Sequence, residues 1–359
     1  MSEAVKSEIK TVQKVRKSTY RPSESKVWPT ATPEEVGFRS EALEGELAQL
    51  LGDDKTGAAA LVVGGKLVWE KYWRGHGPTS RFDTYSAGKA YAAAGIGVLV
   101  DQGKLGIDQR ACEVIPEWAE DGRREITVRH LLTMTSGLHL DYPAFSADAD
   151  PTAATLRWPL EHRPGTVYCY EQATAQAMGI IIERVTGKQA LDFVQQKILT
   201  PIGATETMWM MRGGHCTTWR SVYTSARDLC RFGQLWLQKG VWEGKRLLSE
   251  NFIMQARMHD PIIEWAKNDG RQADYRRRNW GWMLFTNVNG IWEGVDYGCY
   301  AFLGAWGNFC LIDIRNDFVF SRLVTPAEVD PAGLENKLDV TDKGVAQLWR
   351  TVLAARARA

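Results

Sequence analysis

The sequence predicts a mixed α/β fold, on three observations. Ala59-Ala60-Leu61-Val62-Val63-Gly64-Gly65-Lys66-Leu67-Val68-Trp69-Glu70 sets two apolar runs about a Gly-Gly turn, the pattern of a β-hairpin. The stretch from Ala90 to Val100 is apolar on every side, as in a buried helix. Strand-like runs resume near 280–324. With 359 residues, 44% of them hydrophobic, the chain is long enough to bury a sizeable core.

Taken in order, residues 1–28 are charged and read as a loosely held extension. The hairpin is expected over about 58–74 and the apolar helix over about 86–102. Residues 104–160 read as mostly helices and loops. A helix over 171–186 places Ala173, Ala177, Ile180, Ile181 and Val185 at helical spacing, and Gly187 suits its C-cap. Residues 340–357 read as a closing helix. The chain shows no internal repeat and no low-complexity tract.

The stretch with most chemistry in it is Ser86-Ala87-Gly88-Lys89, at the head of the apolar helix. Residues i and i+3 of a helix share a face, so the lysine can lie over the serine. A serine hydroxyl is a poor nucleophile until a neighbouring base takes its proton. A lysine at the mouth of an apolar helix is one whose pKa desolvation lowers. The tetrad alone is weak evidence, because Ser7-Glu8-Ile9-Lys10 and Ser23-Glu24-Ser25-Lys26 repeat it in polar sequence with nothing to bury. Standing alone, Ser86 reads equally well as a helix N-cap.

Context separates the three. Ala31-Thr32-Pro33-Glu34-Glu35-Val36-Gly37-Phe38 and the hairpin precede Ser86. Ile126-Thr127-Val128-Arg129-His130-Leu131-Leu132-Thr133-Met134-Thr135-Ser136-Gly137-Leu138 and Pro164-Gly165-Thr166-Val167-Tyr168-Cys169-Tyr170-Glu171-Gln172 follow it. Further on stand Tyr223-Thr224-Ser225-Ala226-Arg227-Asp228-Leu229-Cys230-Arg231-Phe232-Gly233 and Gly240-Val241-Trp242-Glu243-Gly244-Lys245-Arg246-Leu247-Leu248. In this order the segments resemble the class C β-lactamase-like serine hydrolases, which include penicillin-binding proteins, family VIII esterases and nylon-oligomer hydrolases. The likeness runs from about residue 30 to about 325. It implies a serine β-lactamase/DD-peptidase-like fold, an antiparallel sheet flanked by helices plus a mostly helical subdomain. One domain would then cover 29–359, with a helical insert at roughly 104–215.

The resemblance also implies roles. Ser86 matches the family nucleophile and Lys89 its partner. Tyr170 matches the tyrosine of the Y-x-N motif, its spacing from Pro164-Gly165 and to Gly179 favouring it over Tyr168. A phenolate is a strong base, and nearby ammonium charge lowers its pKa, so Lys89 and Tyr170 can share the proton taken from Ser86. The chain departs from the family at two places. Gln172 stands for the asparagine of Y-x-N, keeping an amide one methylene further out. The third motif falls at Ala305-Trp306-Gly307, where Ala305 brings no charge. A lysine there would pair with a substrate carboxylate, so its absence weakens the β-lactam and peptidoglycan readings and suits a neutral ester or amide. Acyl transfer needs two donors aimed at the developing oxyanion. The resemblance gives these to the backbone N–H groups of Ser86 and Asn308.

Composition excludes several alternatives. A net charge of +1 makes no field for nucleic acid or membrane. No apolar run is long enough to span a bilayer, and Met1 to Glu8 has no apolar stretch of a secretory signal. Cys112, Cys169, Cys216, Cys230, Cys299 and Cys310 are scattered without a C-x-x-C pair, as in reduced cytoplasmic proteins. No cofactor is implied. His139-Leu140-Asp141 and Asp148-Ala149-Asp150 are too slight to indicate a metal, and His130 reads as structural. Of fifteen tryptophans, Trp158, Trp306 and Trp292, with Tyr142 and Phe145, fall in segments that border the family's cleft. Gln172, Trp306, Tyr142 and Trp158 are therefore the candidate substrate-binding residues.

The sequence reading is a serine hydrolase acting through an acyl-enzyme on Ser86, with a small ester or amide as its partner. An acyltransferase using the same intermediate, or a non-catalytic binding module on this fold, are the alternatives. Thr84-Tyr85-Ser86-Ala87-Gly88 differs from the G-x-S-x-G of α/β-hydrolases at its first position, but the downstream segments belong to the other family.

Overall fold

Gly64 and Gly65 both adopt positive φ, 55° and 75°. That is the backbone of a tight turn whose twist matches the strands it joins. The turn links β1 (Thr56–Val63) to β2 (Lys66–Tyr72). Four later strands complete one sheet: β3 (Phe285–Thr286), β4 (Tyr300–Gly304), β5 (Asn308–Asp313) and β6 (Phe318–Val324). The order is β3-β4-β5-β6-β1-β2, antiparallel at every pairing. The N-terminal hairpin thus pairs with the last strand and draws the two ends of the chain into one sheet. This computed structural model describes residues 15–16, 27–52, 55–272, 274–325, 338 and 341–357.

Four helices matter for the site: α1 (Lys89–Asp101), α2 (Gln172–Thr186), α3 (Ala226–Leu237) and α4 (Asp342–Ala354). Neighbouring residues of a strand point to opposite faces, so β6 shows which face each helix covers. Val319 touches α3 at Gly233, and the Ser321 hydroxyl donates to the Ala226 carbonyl of α3 at 2.9 Å. Phe318, on the other face, meets Trp349 of α4 with ring centroids 6.4 Å apart. With helices on both faces, every residue of β1 is buried, which is why it reads as Thr-Gly-Ala-Ala-Ala-Leu-Val-Val without alternation. α1 is buried from Lys89 to Leu99. It lies against α2, where Gly95 meets Ile182, and against α3, where Tyr91 stacks on Phe232 at 3.9 Å.

A second, smaller sheet joins Phe82–Asp83, Val222–Thr224 and Met208–Arg212, with Val15–Arg16 at its edge and His215–Cys216 paired to Met208–Arg212. Of the expected charged extension, 15–16 and 27–28 are described, and Trp28 is buried rather than loosely held; 1–14 and 17–26 lie outside the described residues. The expected hairpin and closing helix are present within two or three residues. The expected helix over 86–102 begins differently: Tyr85–Gly88 is a tight 3-10 turn, and α1 starts at Lys89. The φ of 49° at Tyr85, a left-handed conformation, bars any extension of regular helix towards the N-terminus.

Several polar residues that tempt a metal reading are helix caps. Asp141 accepts from the Ala144 N–H and Asp150 from the Ala153 N–H, each at 3.0 Å. His130 closes a capping box with Thr127. All six cysteines are free, five of them buried. Among the described residues no helix is long and apolar enough to cross a membrane.

α3 packs tightly on the sheet at Gly233, where an added Cβ would stand 2.6 Å from Cys310 Sγ and 2.7 Å from Val319 Cγ1. Gly233→Val should therefore lower unfolding stability by about 1–3 kcal/mol, the usual cost of overpacking a core. Urea denaturation measures it, and an unchanged midpoint would contradict this packing.

Candidate active site

The turn that carries Ser86 is held from both sides. The Thr84 N–H and hydroxyl both donate to the Val222 carbonyl, at 2.9 and 2.8 Å. The Tyr85 N–H donates to Asp83 Oδ1 at 2.7 Å, and the Ser221 hydroxyl donates to Asp83 Oδ2 at 2.9 Å. Gly88 fits only without a side chain, since a Cβ would meet Val222 at 2.9 Å. A non-glycine residue at φ 49° costs energy and persists only where its surroundings over-determine it. These bonds supply that constraint at Tyr85, one residue before Ser86.

Lys89 is 1% exposed. Its Nζ donates to the Trp219 carbonyl at 2.5 Å and stands 3.2 Å from Ser86 Oγ. The same Nζ lies 4.8 Å from the centroid of the Tyr170 ring. Burial holds the Lys89 amine below its ordinary pKa and Arg276 adds to the effect, while Tyr170 and Glu171 oppose it. Burial alone would raise the Tyr170 phenol. The Lys89 charge, hydrogen bonds with Ser86 and Lys89, and the charge of Arg276 outweigh it and bring the phenol below its ordinary value. Ser86, Lys89 and Tyr170, drawn from sequence, are thus brought together, the Lys89 amine hydrogen-bonded to Ser86 and facing the Tyr170 ring. Tyr168 is not part of it. It is fully buried, with its ring 6.3 Å from Trp280.

Tyr170 is gripped from its outer side. Its N–H donates to Gln272 Oε1 at 2.8 Å and its carbonyl accepts from Gln272 Nε2 at 2.7 Å. Trp280 meets the ring edge-on at 5.3 Å, and the Arg276 guanidinium lies over it at 5.3 Å. Next to it, Glu171 caps α2, accepting from the Ala173 and Thr174 N–H groups. Burial pushes its carboxyl up to about 8, against the opposing bonds from Thr174 and the charge of Lys89.

Gln172, Tyr142 and Trp158 line one small cleft together with Phe145 and His139. Gln172 is 9% exposed, and its Oε1 has no hydrogen-bond partner among the described residues. Tyr142 sits edge-on to Trp219 at 6.0 Å, and its hydroxyl accepts from Arg220 at 3.4 Å. Trp306 stands apart on the turn between β4 and β5, 56% exposed. Trp292 does not border the cleft: it is buried against Trp349 of α4, 5.5 Å between ring centroids, on the far side of the sheet.

The second oxyanion donor was expected at Asn308. The strand end that abuts the Ser86 turn is Gly304, where a Cβ would stand 1.9 Å from the Thr84 carbonyl and 3.2 Å from the Ala87 nitrogen. Asn308 begins the next strand, β5. Its side chain holds the turn, donating to the Ala305 carbonyl at 2.8 Å and accepting from the Val324 N–H at 2.9 Å. Sequence reasoning missed the Trp219 carbonyl, Gln272 and Arg276. A backbone acceptor has no signature in sequence, and the other two lie about a hundred residues from Tyr170 outside any motif.

Fold and site define the class. Residues 47–340 match the Beta-lactamase family, and the chain belongs to it. It is 26% identical over 324 residues to the 6-aminohexanoate-dimer hydrolase of Paenarthrobacter ureafaciens, covering 82% of this chain and 79% of that one. It is 25% identical over 261 residues to penicillin-binding protein 4 of Amycolatopsis lactamdurans, covering 61% and 65%. Among solved structures, a family VIII carboxylesterase superposes with a TM-score of 0.67 at 16% identity, covering 88% of this chain and 96% of that one.

Glu171 makes a testable pH dependence. A carboxyl whose folded pKa is raised keeps its proton where the unfolded chain has lost it, so its contribution to stability falls as pH rises from about 4.5 towards 8. Glu171→Gln removes that term. The difference in Tm, variant minus wild type, should increase from pH 5 to pH 8 in thermal melts; a difference independent of pH would rule it out.

Proposed function

We propose that the protein is a serine hydrolase that cleaves an ester or amide bond of a small molecule through an acyl-enzyme on Ser86. The observation that carries this is the Lys89 amine, buried, 3.2 Å from Ser86 Oγ and packed on Tyr170. Ser86 Oγ attacks the substrate carbonyl while its proton passes to the Lys89–Tyr170 pair. The tetrahedral oxyanion takes hydrogen bonds from the Ser86 N–H and from the main chain at the Gly304–Ala305 end of β4. The leaving group departs with the proton, and water, activated by the same pair, releases the acid. If an alcohol or amine replaces water, the product is a new ester or amide. A structural neighbour described as a hydrolase with promiscuous acyltransferase activity makes that second outcome worth assaying.

A neutral substrate fits Ala305, which leaves the third motif without a cation. Arg276 supports a second reading, because its guanidinium over Tyr170 brings positive charge to the same site by another route. A matched carboxylic acid and methyl ester separate the two. On the neutral reading, wild type shows no preference for the acid. Ala305→Lys should then raise kcat/KM for the acid by a factor matching about 1–3 kcal/mol. A strong wild-type preference for the acid that Arg276→Gln abolishes establishes the second reading instead.

Ser86→Ala should remove nearly all turnover with little change in Tm, and a fluorophosphonate probe should label wild type at Ser86. Labelling elsewhere would overturn the assignment. Lys89→Ala and Tyr170→Phe should each lower kcat by at least ~100-fold, the range for losing a positioned acid or base. Tyr168→Phe should cost far less. Short p-nitrophenyl esters, nitrocefin, a D-Ala-D-Ala peptide and an aminohexanoate oligomer form the substrate panel. Ester or oligomer turnover without nitrocefin cleavage is the expected result.

A further inference from the structure

Tyr170 lies in the loop between Val167–Tyr168 and α2, and a side chain carried on a loop is aimed less precisely than one on a helix or strand unless other groups lock it. Val167–Tyr168 pairs in parallel with Lys267–Asn268, and the Asp269 N–H continues that ladder to the Tyr168 carbonyl at 3.2 Å. The main-chain ladder ends there. At the next rung a side chain takes over: Gln272 accepts from the Tyr170 N–H and donates to the Tyr170 carbonyl. A carboxamide has the donor and acceptor of a peptide group, so it can satisfy both at once.

The segment that brings Gln272 is itself latched. Asn268 Nδ2 donates to the Gln272 carbonyl at 3.0 Å. Arg271 pairs with Asp269 and, at 2.8 Å, with Glu161, which also meets His139 Nδ1 at 3.0 Å. One turn beyond, Arg276 reaches the face of the Tyr170 ring. Gln272 and Arg276 therefore hold Tyr170 by both its peptide groups and from its ring face, and two bonds from one planar amide fix position and orientation together.

We propose that Gln272 is a positioning residue for the reaction, holding the Tyr170 main chain so that its hydroxyl reaches Ser86 and Lys89. The proposal rests on the acyl-enzyme reading, in which Tyr170 moves the proton. Proton transfer requires hydrogen-bond contact in the reacting geometry, and small misplacements are costly, so a loosened Tyr170 slows the chemical steps while leaving substrate binding nearly intact.

The test is a double-mutant cycle on the full chain with a p-nitrophenyl ester. Gln272→Met keeps the length and bulk of the side chain and deletes both bonds. It should lower kcat at least ~10-fold with KM within about 3-fold, and slow fluorophosphonate labelling of Ser86 in parallel. In a Tyr170→Phe background the same substitution should cost nothing further, because the group it positions is gone. A purely structural latch would lower Tm yet leave kcat per folded molecule unchanged, and that result overturns the proposal. So does an equal loss of kcat in both backgrounds. If Gln272→Met fails to fold, Gln272→Glu, which keeps the acceptor for the Tyr170 N–H, is read in the same cycle. Tyr170→Phe measured alone tests the acyl-enzyme reading separately: full turnover there would overturn that reading and the proposal with it.

Discussion

An amine taken out of water must find hydrogen-bond partners or give up its charge. Lys89 stands at the head of a helix with no polar face, at 1% exposure, and the structure around it answers both demands. The Trp219 carbonyl and Ser86 Oγ accept from it, and the Tyr170 ring faces it. These partners come from the Ser86 turn, the Thr218–Val222 segment and the loop before α2. The buried amine thus requires three separate pieces of chain to keep register with one another. The same requirement explains the strained Tyr85, the Asp83–Ser221 strut and the Gln272 clamp, each of which fixes one of those pieces. Enclosure lowers the pKa of Lys89, and the Lys89 charge in turn helps to lower that of Tyr170 against the burial that would raise it.

The sheet supplies the fixed wall. Arg322 on β6 is wholly buried, donating to Thr56 Oγ1 at 2.8 Å and to the Gly307 and Leu338 carbonyls at 2.9 Å each. It therefore ties the turn between β4 and β5 to the start of β1. Asn308 adds two more bonds from inside the turn. This turn holds Ala305-Trp306-Gly307, and the strand end that leads into it, Gly304, brings main chain against the Ser86 turn.

The tryptophans divide between core and cleft. Trp118, Trp209, Trp219, Trp236, Trp280, Trp282, Trp292 and Trp349 are all among the largest fully buried side chains. Most of the aromatic content thus packs the interior, where large rings bury the most surface. Trp219 serves both ends, buried against Phe145 and Tyr142 while its carbonyl receives Lys89. Trp306, by contrast, is exposed on the rigid turn next to Ala305.

What the sequence by itself determined is what depends on neighbours along the chain. The Gly64-Gly65 turn, the buried α1 and the cap of α2 at Gly187 follow from local periodicity and backbone preference, and each is where the residues put it. The Ser86–Lys89 spacing is equally local, one helical turn. Tyr170 was legible through its resemblance to a motif whose spacing already favoured it over Tyr168, and the fold shows which ring meets Lys89 and which meets the core. Counting along a hairpin likewise does not tell which strand end touches the Ser86 turn, where Gly304 makes the close approach. Trp219 lies 130 residues from Lys89, and Gln272 lies 102 from Tyr170. Contacts at such separations depend on how the sheet and helices route the chain, and a carbonyl or a lone glutamine carries no mark of it in the sequence. Tertiary structure alone decided which groups surround the amine, since desolvation and hydrogen bonding act through space and not along the chain.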